Sequence, residues 1–306
     1  MDPRALETLR AVRTQGGVTA AADVLHLTPS AVSQQVAVLQ REVGVALTER
    51  VGRGLRLTPA GEALADAALD VAVALERAQA ACDGFLAAPR GTVRVSAFAS
   101  AAQVLLPGLL GRAPDGIDIE CADEDVAQAD FVGLTDRIDI VVAHRPDGAG
   151  SWGDRVRVVP LLREPLDVAV PAGHRLAGQT SVHPADLAGE AWISVREGFP
   201  VSTVLAAVAA ASGSEPRIVH RINDFHVAAS LVAAGHGVSL LPRHSHGSGD
   251  DVRLLPLTGV RAGRRIDALL RPDRAERLVV RSVLGELRAL AAEIDRQGSR
   301  TSFPPG

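Results

Sequence analysis

The chain changes texture once, at Pro89–Gly91, and that break limits the folds open to it. Ahead of the break, apolar residues recur at helical spacing. Leu64, Ala68, Val71, Leu75, Ala78, Cys82 and Phe85 follow one another at intervals of 4, 3, 4, 3, 4 and 3. That is an a/d seam kept up for roughly three heptads. Thr58 and Pro59 supply the N-cap and the first helical position. One long helix is therefore expected from Pro59 to Ala87, about 40 Å at the α-helical rise. Its seam needs a partner. A second copy of the chain is the simplest; packing on the chain's own C-terminal part is the alternative.

The stretch before that helix reads as three shorter ones. Asp2-Pro3 starts the first, with Leu6, Leu9 and Val12 as its stripe and Gly16-Gly17 as its stop. The second runs from about Thr19 to Leu25 and ends at His26, where a turn wants positive φ; histidine tolerates this better than most non-glycine residues. The third starts near Pro29 in "LHLTPSAVSQQVAVLQREVG". Val32, Val36 and Leu39 share one face. The other face carries Ser30, Ser33, Gln34, Ala37 and Arg41, short hydrogen-bonding groups where a helix facing water normally shows long charged ones. Two helices across a short turn make a helix-turn-helix. "VALTERVGRGLRLTPAG" then alternates like a small hairpin, or wing. Its arginines Arg50, Arg53 and Arg56 are spaced to straddle a phosphate backbone. Arg56 has an alternative partner in Glu49 across the hairpin.

After Thr92, runs such as "TVRVSAF", "RIDIVVAH", "LDVAVP", "AWISV" and "GVSLLP" alternate with helical stretches at Ala101–Leu110, Val126–Leu134, Pro184–Leu187, Pro200–Ala211, Phe225–Ala234 and Arg274–Arg296. This implies an α/β domain with a mostly parallel sheet, long enough for two lobes around a cleft. Composition adds limits. Net charge is −4, so any nucleic-acid surface must be local. Lysine is absent, and every basic side chain is arginine, whose planar fork suits guanine and phosphate. No apolar run reaches the length of a membrane span, the N-terminus lacks a signal-peptide core, and two cysteines make no disulfide framework, so a cytoplasmic location is expected.

These residues resemble a known family. From Leu6 to Gly61 the chain is similar to the helix-turn-helix, wing and linker-helix start of LysR-type transcriptional regulators. "VLLPGLL", "RIDIVVAH", "LAGEAWISV" and "LVAAGHGVSLLP" resemble the family's effector-binding domain. The resemblance implies a winged helix-turn-helix domain at 1–58, a linker and dimerisation helix at 59–90, and an α/β effector domain at 91–300. That domain is expected to be two-lobed and periplasmic-binding-protein type II-like, with lobe I about 91–163 and 269–300 and lobe II about 164–268. It further implies promoter DNA with a pseudo-palindromic site, a homodimer or homotetramer, and a small-molecule effector. Thr48 and Gln34 depart from the family's usual residues, as does "PRHSHGSGDD".

Thr28, Ser30, Ser33 and Gln34 are the expected base or phosphate readers, with Pro29 starting their helix; major-groove base edges offer distinguishable partners for such groups. For the effector, Ser100 and Ala101 sit at the start of one helix, and Ser194 and Arg196 at a strand end before another, where free N–H groups and strand carboxyl ends favour a ligand. Ser100 reads equally as a plain helix cap and Arg196 as a surface charge. Phe225 and His226 open a further helix; core packing is the alternative for Phe225. His236, His244 and His246, near Asp250 and Asp251, match no strong zinc spacing, so no metal or cofactor is expected. Cys82 and Cys121 are expected to be buried and inert, one in the helical seam and the other in a strand. The enzymatic signatures of a phosphate loop, a nucleophile elbow or a zinc-protease helix are missing. A regulator is therefore favoured over a free solute-binding protein or a DNA-binding domain fused to an enzyme.

Overall fold

The computed structural model describes residues 1–52, 54–85, 89–148, 150–246 and 249–301. The N-terminal head is built from α1 (Pro3–Thr14), α2 (Val18–Leu25), α3 (Pro29–Val43), and a hairpin of β1 (Thr48–Val51) and β2 (Gly54–Leu57). Each helix ends where its sequence says it should. Asp2 caps α1 by accepting from the Arg4 amide. His26 closes α2 with φ 54°, in the left-handed region. Thr28 caps α3 by accepting from the Ala31 amide, and Gly44 ends it at φ 73°. Leu9, Val32, Leu39 and Leu47 are buried together between the helices and the wing. The expected face of Val32, Val36 and Leu39 is thus the core face.

The linker helix α4 spans Pro59–Asp83. Thr58 fastens its start twice, accepting from the Gly61 amide at 3.1 Å and donating to the Ala46 carbonyl at 2.7 Å. Gly61 is needed here for space. A Cβ at this position would collide with the Leu47 carbonyl oxygen and press on Leu57. Gly61→Ala is therefore expected to destabilise the head by about 1–3 kcal/mol, the usual cost of overpacking, by parting wing from linker. A denaturant melt followed on the head's unfolding would check it; an unchanged midpoint would show that the backbones separate freely.

The C-terminal domain centres on a mixed sheet of order β4-β3-β5-β11-β6-β9-β7-β8, with β10 on β6. Its strands are β3 (Gly91–Ala97), β4 (Ile117–Asp123), β5 (Ile140–Pro146), β6 (Arg157–Pro171), β7 (Ala191–Ser194), β8 (Arg217–Arg221), β9 (Val238–Pro242), β10 (Val252–Leu255) and β11 (Gly263–Leu270). The expected parallel pairing holds within each lobe, for β3 with β4 and β5, and for β7 with β8 and β9. The sheet is nevertheless not mostly parallel. The chain leaves lobe I along β6 and returns along β11, and these strands run antiparallel to their neighbours. β11 pairs with β5 from Arg264 onward, so the return to lobe I falls near 263 rather than 269.

The helices α5 (Ala99–Leu110), α7 (Pro200–Ser212), α8 (Phe225–Ala233) and α9 (Leu278–Thr301) cover the lobes. The stretch expected to be helical at Val126–Leu134 is a 3-10 turn, Gln128–Asp130, followed by one helical turn α6, Phe131–Leu134, because Phe131 dives into the lobe I core. Lobe I buries Val93, Val95, Ile140, Val142 and Leu269 against α9 residues such as Val283 and Leu287. Lobe II has its own core around Val168, Trp192, Val204 and Leu240. No described helix is long and apolar enough to cross a membrane.

Candidate nucleic-acid interface and effector cleft

On α3, the side opposite the buried valines is open. Thr28, Pro29, Ser30, Ser33 and Gln34 are all exposed. The Ser33 hydroxyl donates to the Pro29 carbonyl at 2.9 Å, leaving its lone pairs to accept. The neighbouring Gln35 turns the other way and takes the Thr8 hydroxyl, tying α3 to α1. In the wing, Arg50 and Arg56 are exposed, and Glu49 lies directly opposite Arg56 in the hairpin register. Among the described residues neither arginine makes an ion pair. Arg53 lies outside the described residues.

The linker seam divides into two parts. Leu64 and Ala68 pack into the head's own core. Val71, Leu75, Ala78, Cys82 and Phe85 are exposed, with Phe85 at 93% and Leu75 at 52%. Cys121, near the end of the edge strand β4, is exposed too, so neither cysteine is buried as its pattern suggested. The stripe therefore begins as head core and continues as an uncovered apolar face.

Between the lobes lies a small cavity of about 80 Å³. Phe98 and Ser100 from the start of α5, His144 from β5 and Arg264 from β11 line one side; Phe199, Phe225 and His226 line the other. Arg264 organises it. Its guanidinium is fully buried, donates Nε and Nη2 to Glu164 Oε2 at 2.8 and 2.5 Å, and donates Nη2 to Ser100 Oγ at 2.6 Å. It also lies 4.7 Å from the Phe98 ring centre and 5.6 Å from that of Phe225, joining the two lobes through cation–π contacts. At the rim, Gln103 of α5 meets His226 Nε2 and donates to the Ser245 carbonyl, both at 3.2 Å.

His144 sits beneath Arg264 among Phe98, Phe131 and Phe199. Burial first, and then the Arg264 charge, push its pKa well below the usual histidine value, so the ring is neutral. Among the described residues its Nδ1 is buried without a partner. His246 is likewise pushed down, by burial and by the nearby His226. Burial pushes the Asp125 carboxyl up. The cavity thus combines aromatic walls, one compensated ion pair and an unpaired ring nitrogen. Such a site favours a compact ligand with an apolar face and at least one hydrogen-bonding group.

The effector residues expected from sequence separate in space. Ser100, Phe225 and His226 reach the cavity. Ser100 is not a cap: Phe98 is the N-cap of α5, and the serine is buried as an acceptor for Arg264. Ala101 is in the lobe I core. Ser194 faces a separate groove of about 560 Å³ between α7 and β8. Arg196 is exposed, with its guanidinium 5.6 Å from the Phe199 ring centre and its amide donating to Asn223 Oδ1. Arg264, Glu164 and His144 were missed. Among the described residues no group of three or more His, Cys, Asp or Glu side chains converges as a metal site.

The comparisons decide the family. Residues 3–62 match the family described as "Bacterial regulatory helix-turn-helix protein, lysR family", and residues 87–292 match the LysR substrate binding domain. The chain belongs to the LysR family. It is a LysR-type transcriptional regulator, with a DNA-binding head and an effector-binding domain. The transcriptional dual regulator GltC of Bacillus subtilis is 30% identical over 216 residues, covering 70% of this chain and 71% of its own length. Full-length OxyR from Pseudomonas aeruginosa superposes with a TM-score of 0.65 at 21% identity, covering 94% of this chain and 95% of its own. Full-length CbnR complexed with its target DNA superposes with a TM-score of 0.53 at 23% identity, covering 95% and 100%. These LysR structures share the overall fold.

Proposed function

We propose that this LysR-type regulator reads its operator through Thr28, Ser30, Ser33 and Gln34, with Arg50, Arg53 and Arg56 on the flanking phosphates. The observation that carries this reading is the division of α3: Val32, Val36 and Leu39 are buried, while a continuous face of short polar side chains stands open. A helix of this kind fits the major groove, and short side chains bring it close to the base edges. The head comprises 1–58, the linker 59–90 and the effector domain 91–300. Two chains pair through the exposed part of the linker seam, placing two heads on two half-sites. The protein acts in the cytoplasm and by binding rather than by catalysis. Its effector is a compact molecule held in the cavity beside Arg264, with Phe98, Phe199 and Phe225 as walls and His144 Nδ1 as a polar anchor. It acts by favouring one arrangement of lobes and subunits.

Changing Ser33 and Gln34 together to alanine is expected to cost about ten- to a hundredfold in preference for the operator over random DNA, with non-specific binding retained. Competition mobility shifts at fixed salt measure this. A preference equal to the parent's would remove these side chains from the reading surface.

A further inference from the structure

The face of α1 that turns away from α3 is docked on lobe I. Asp136, in the turn before β5, is buried with a side-chain exposure of 3%, and Arg10 with 4%. Three donors from α1 and its C-cap converge on this one carboxylate. Arg10 Nη1 reaches Oδ1 at 2.5 Å; the Thr14 hydroxyl and Gln15 Nε2 reach Oδ2 at 2.5 and 2.6 Å. A second link runs alongside. Glu7 accepts from Arg10 Nε and Nη2 at 2.8 Å each, and from Arg271 Nη1 at 2.6 Å. Arg271, just past β11, is held in turn by Asp273. Burial pushes the Glu7 carboxyl up, but its hydrogen bonds and proximity to Arg10 and Arg271 outweigh this and hold it at about 2. The link is therefore ionised throughout the neutral range. The linker joins the same side of lobe I, where Arg77 of α4 meets Glu276 at 3.2 Å.

Two further observations give this docking a consequence. First, it leaves the reading face of α3 exposed, so it does not block DNA. Second, the strands under it lead straight to the cleft. β5 carries His144 at the cleft end and starts just after Asp139, which binds Arg274 and Arg277 at the docking end. β11 carries Arg264 at the cleft and delivers Arg271 to the head, seven residues and roughly 23 Å further on.

We propose that Asp136 and Arg271 are positioning residues for DNA recognition: by docking α1 through Arg10 and Glu7, they make the head and lobe I one rigid body and so set the half-site spacing that a pair of chains accepts. An effector in the cleft then moves lobe II against this body rather than swinging the head on its own lobe. The proposal rests on the DNA-binding reading above, and its test separates the two.

The test uses full-length protein carrying Asp136→Asn or Gln15→Glu. The first keeps volume but removes the charge facing Arg10. The second, at a half-buried position, sets a carboxylate against Asp136 with little risk to folding. Spin labels at Val45→Cys in the head and Asp118→Cys in lobe I, in a Cys82→Ser, Cys121→Ser background, report the head-to-lobe distance without DNA. Selection on operators of varied half-site spacing reports the consequence. The parent is expected to show one narrow distance and to prefer its spacing by about tenfold over sites half a helical turn off. Both variants are expected to show a broadened distance distribution, a preference cut to about threefold or less, and parent-like affinity for random DNA. Variants with the parent's distance distribution and spacing preference overturn the docking proposal, as does a parent that prefers the operator over random DNA yet is indifferent to half-site spacing. A parent with a narrow distance but no preference for any operator overturns the DNA reading instead.

Discussion

Arg264→Met is expected to destabilise the effector domain by about 3–5 kcal/mol, because it strands a buried carboxylate. Glu164 is as deeply buried as its partner, at 2%, and Arg264 supplies both hydrogen bonds to its Oε2. For a domain of this size the loss corresponds to a melting temperature lower by on the order of 10 °C. Adding Glu164→Met to the single variant is expected to restore most of the stability, since an apolar pair of similar volume replaces a buried ion pair at little cost. The double variant also isolates function. It should fold, yet lose the thermal stabilisation that an effector confers on the parent by mass action. A single variant that melts with the parent would show that Glu164 is solvated and that the cavity is not organised as described.

The head was legible because its constraints are local. Val32, Val36 and Leu39 share a face by spacing alone, Thr28 and Thr58 are caps by residue type, and His26 occupies the left-handed position that its place between two helices demands. The cleft was legible only in outline. Strand ends and helix starts were placed nearly correctly, but the residue that organises the cavity is set by pairing across the fold. Arg264 and Glu164 are 100 residues apart, and Arg10 and Asp136 are 126 apart. No local pattern encodes which carboxylate a buried arginine will meet. One signal was available. Arg264 has the same strand parity as Ile266, Ala268 and Leu270, so the alternation of β11 already turned a guanidinium toward the core side. The same logic explains Ser100: a serine at a helix start is a natural cap, and only the arginine arriving from β11 makes it an acceptor instead. Mixed strand direction was hidden for a related reason, since a chain that crosses between lobes twice must run two strands against the rest.

Leu75→Glu is expected to break the pairing of two chains and, with it, operator binding. The seam from Val71 to Phe85 is an apolar stripe on the linker that the chain's own head and lobes leave uncovered; Val71 is 39% exposed, Leu75 52% and Phe85 93%. In a two-chain coil these positions line the interface, and a carboxylate in place of Leu75 would be buried there without a compensating charge. Position 75 touches neither the head's core nor the lobe I contact through Arg77, so each chain should fold and melt as before. Losing the partner removes the effective concentration that the first bound head provides for the second. Operator affinity is then expected to fall by on the order of a hundredfold or more, while affinity for a single half-site is unchanged. Sedimentation of the variant beside mobility shifts on full and half operators would measure both. Monomers that still bound the full operator with parent affinity would show that one head carries the recognition. Intact dimers would mean that the lobes, and not the linker, hold the chains together.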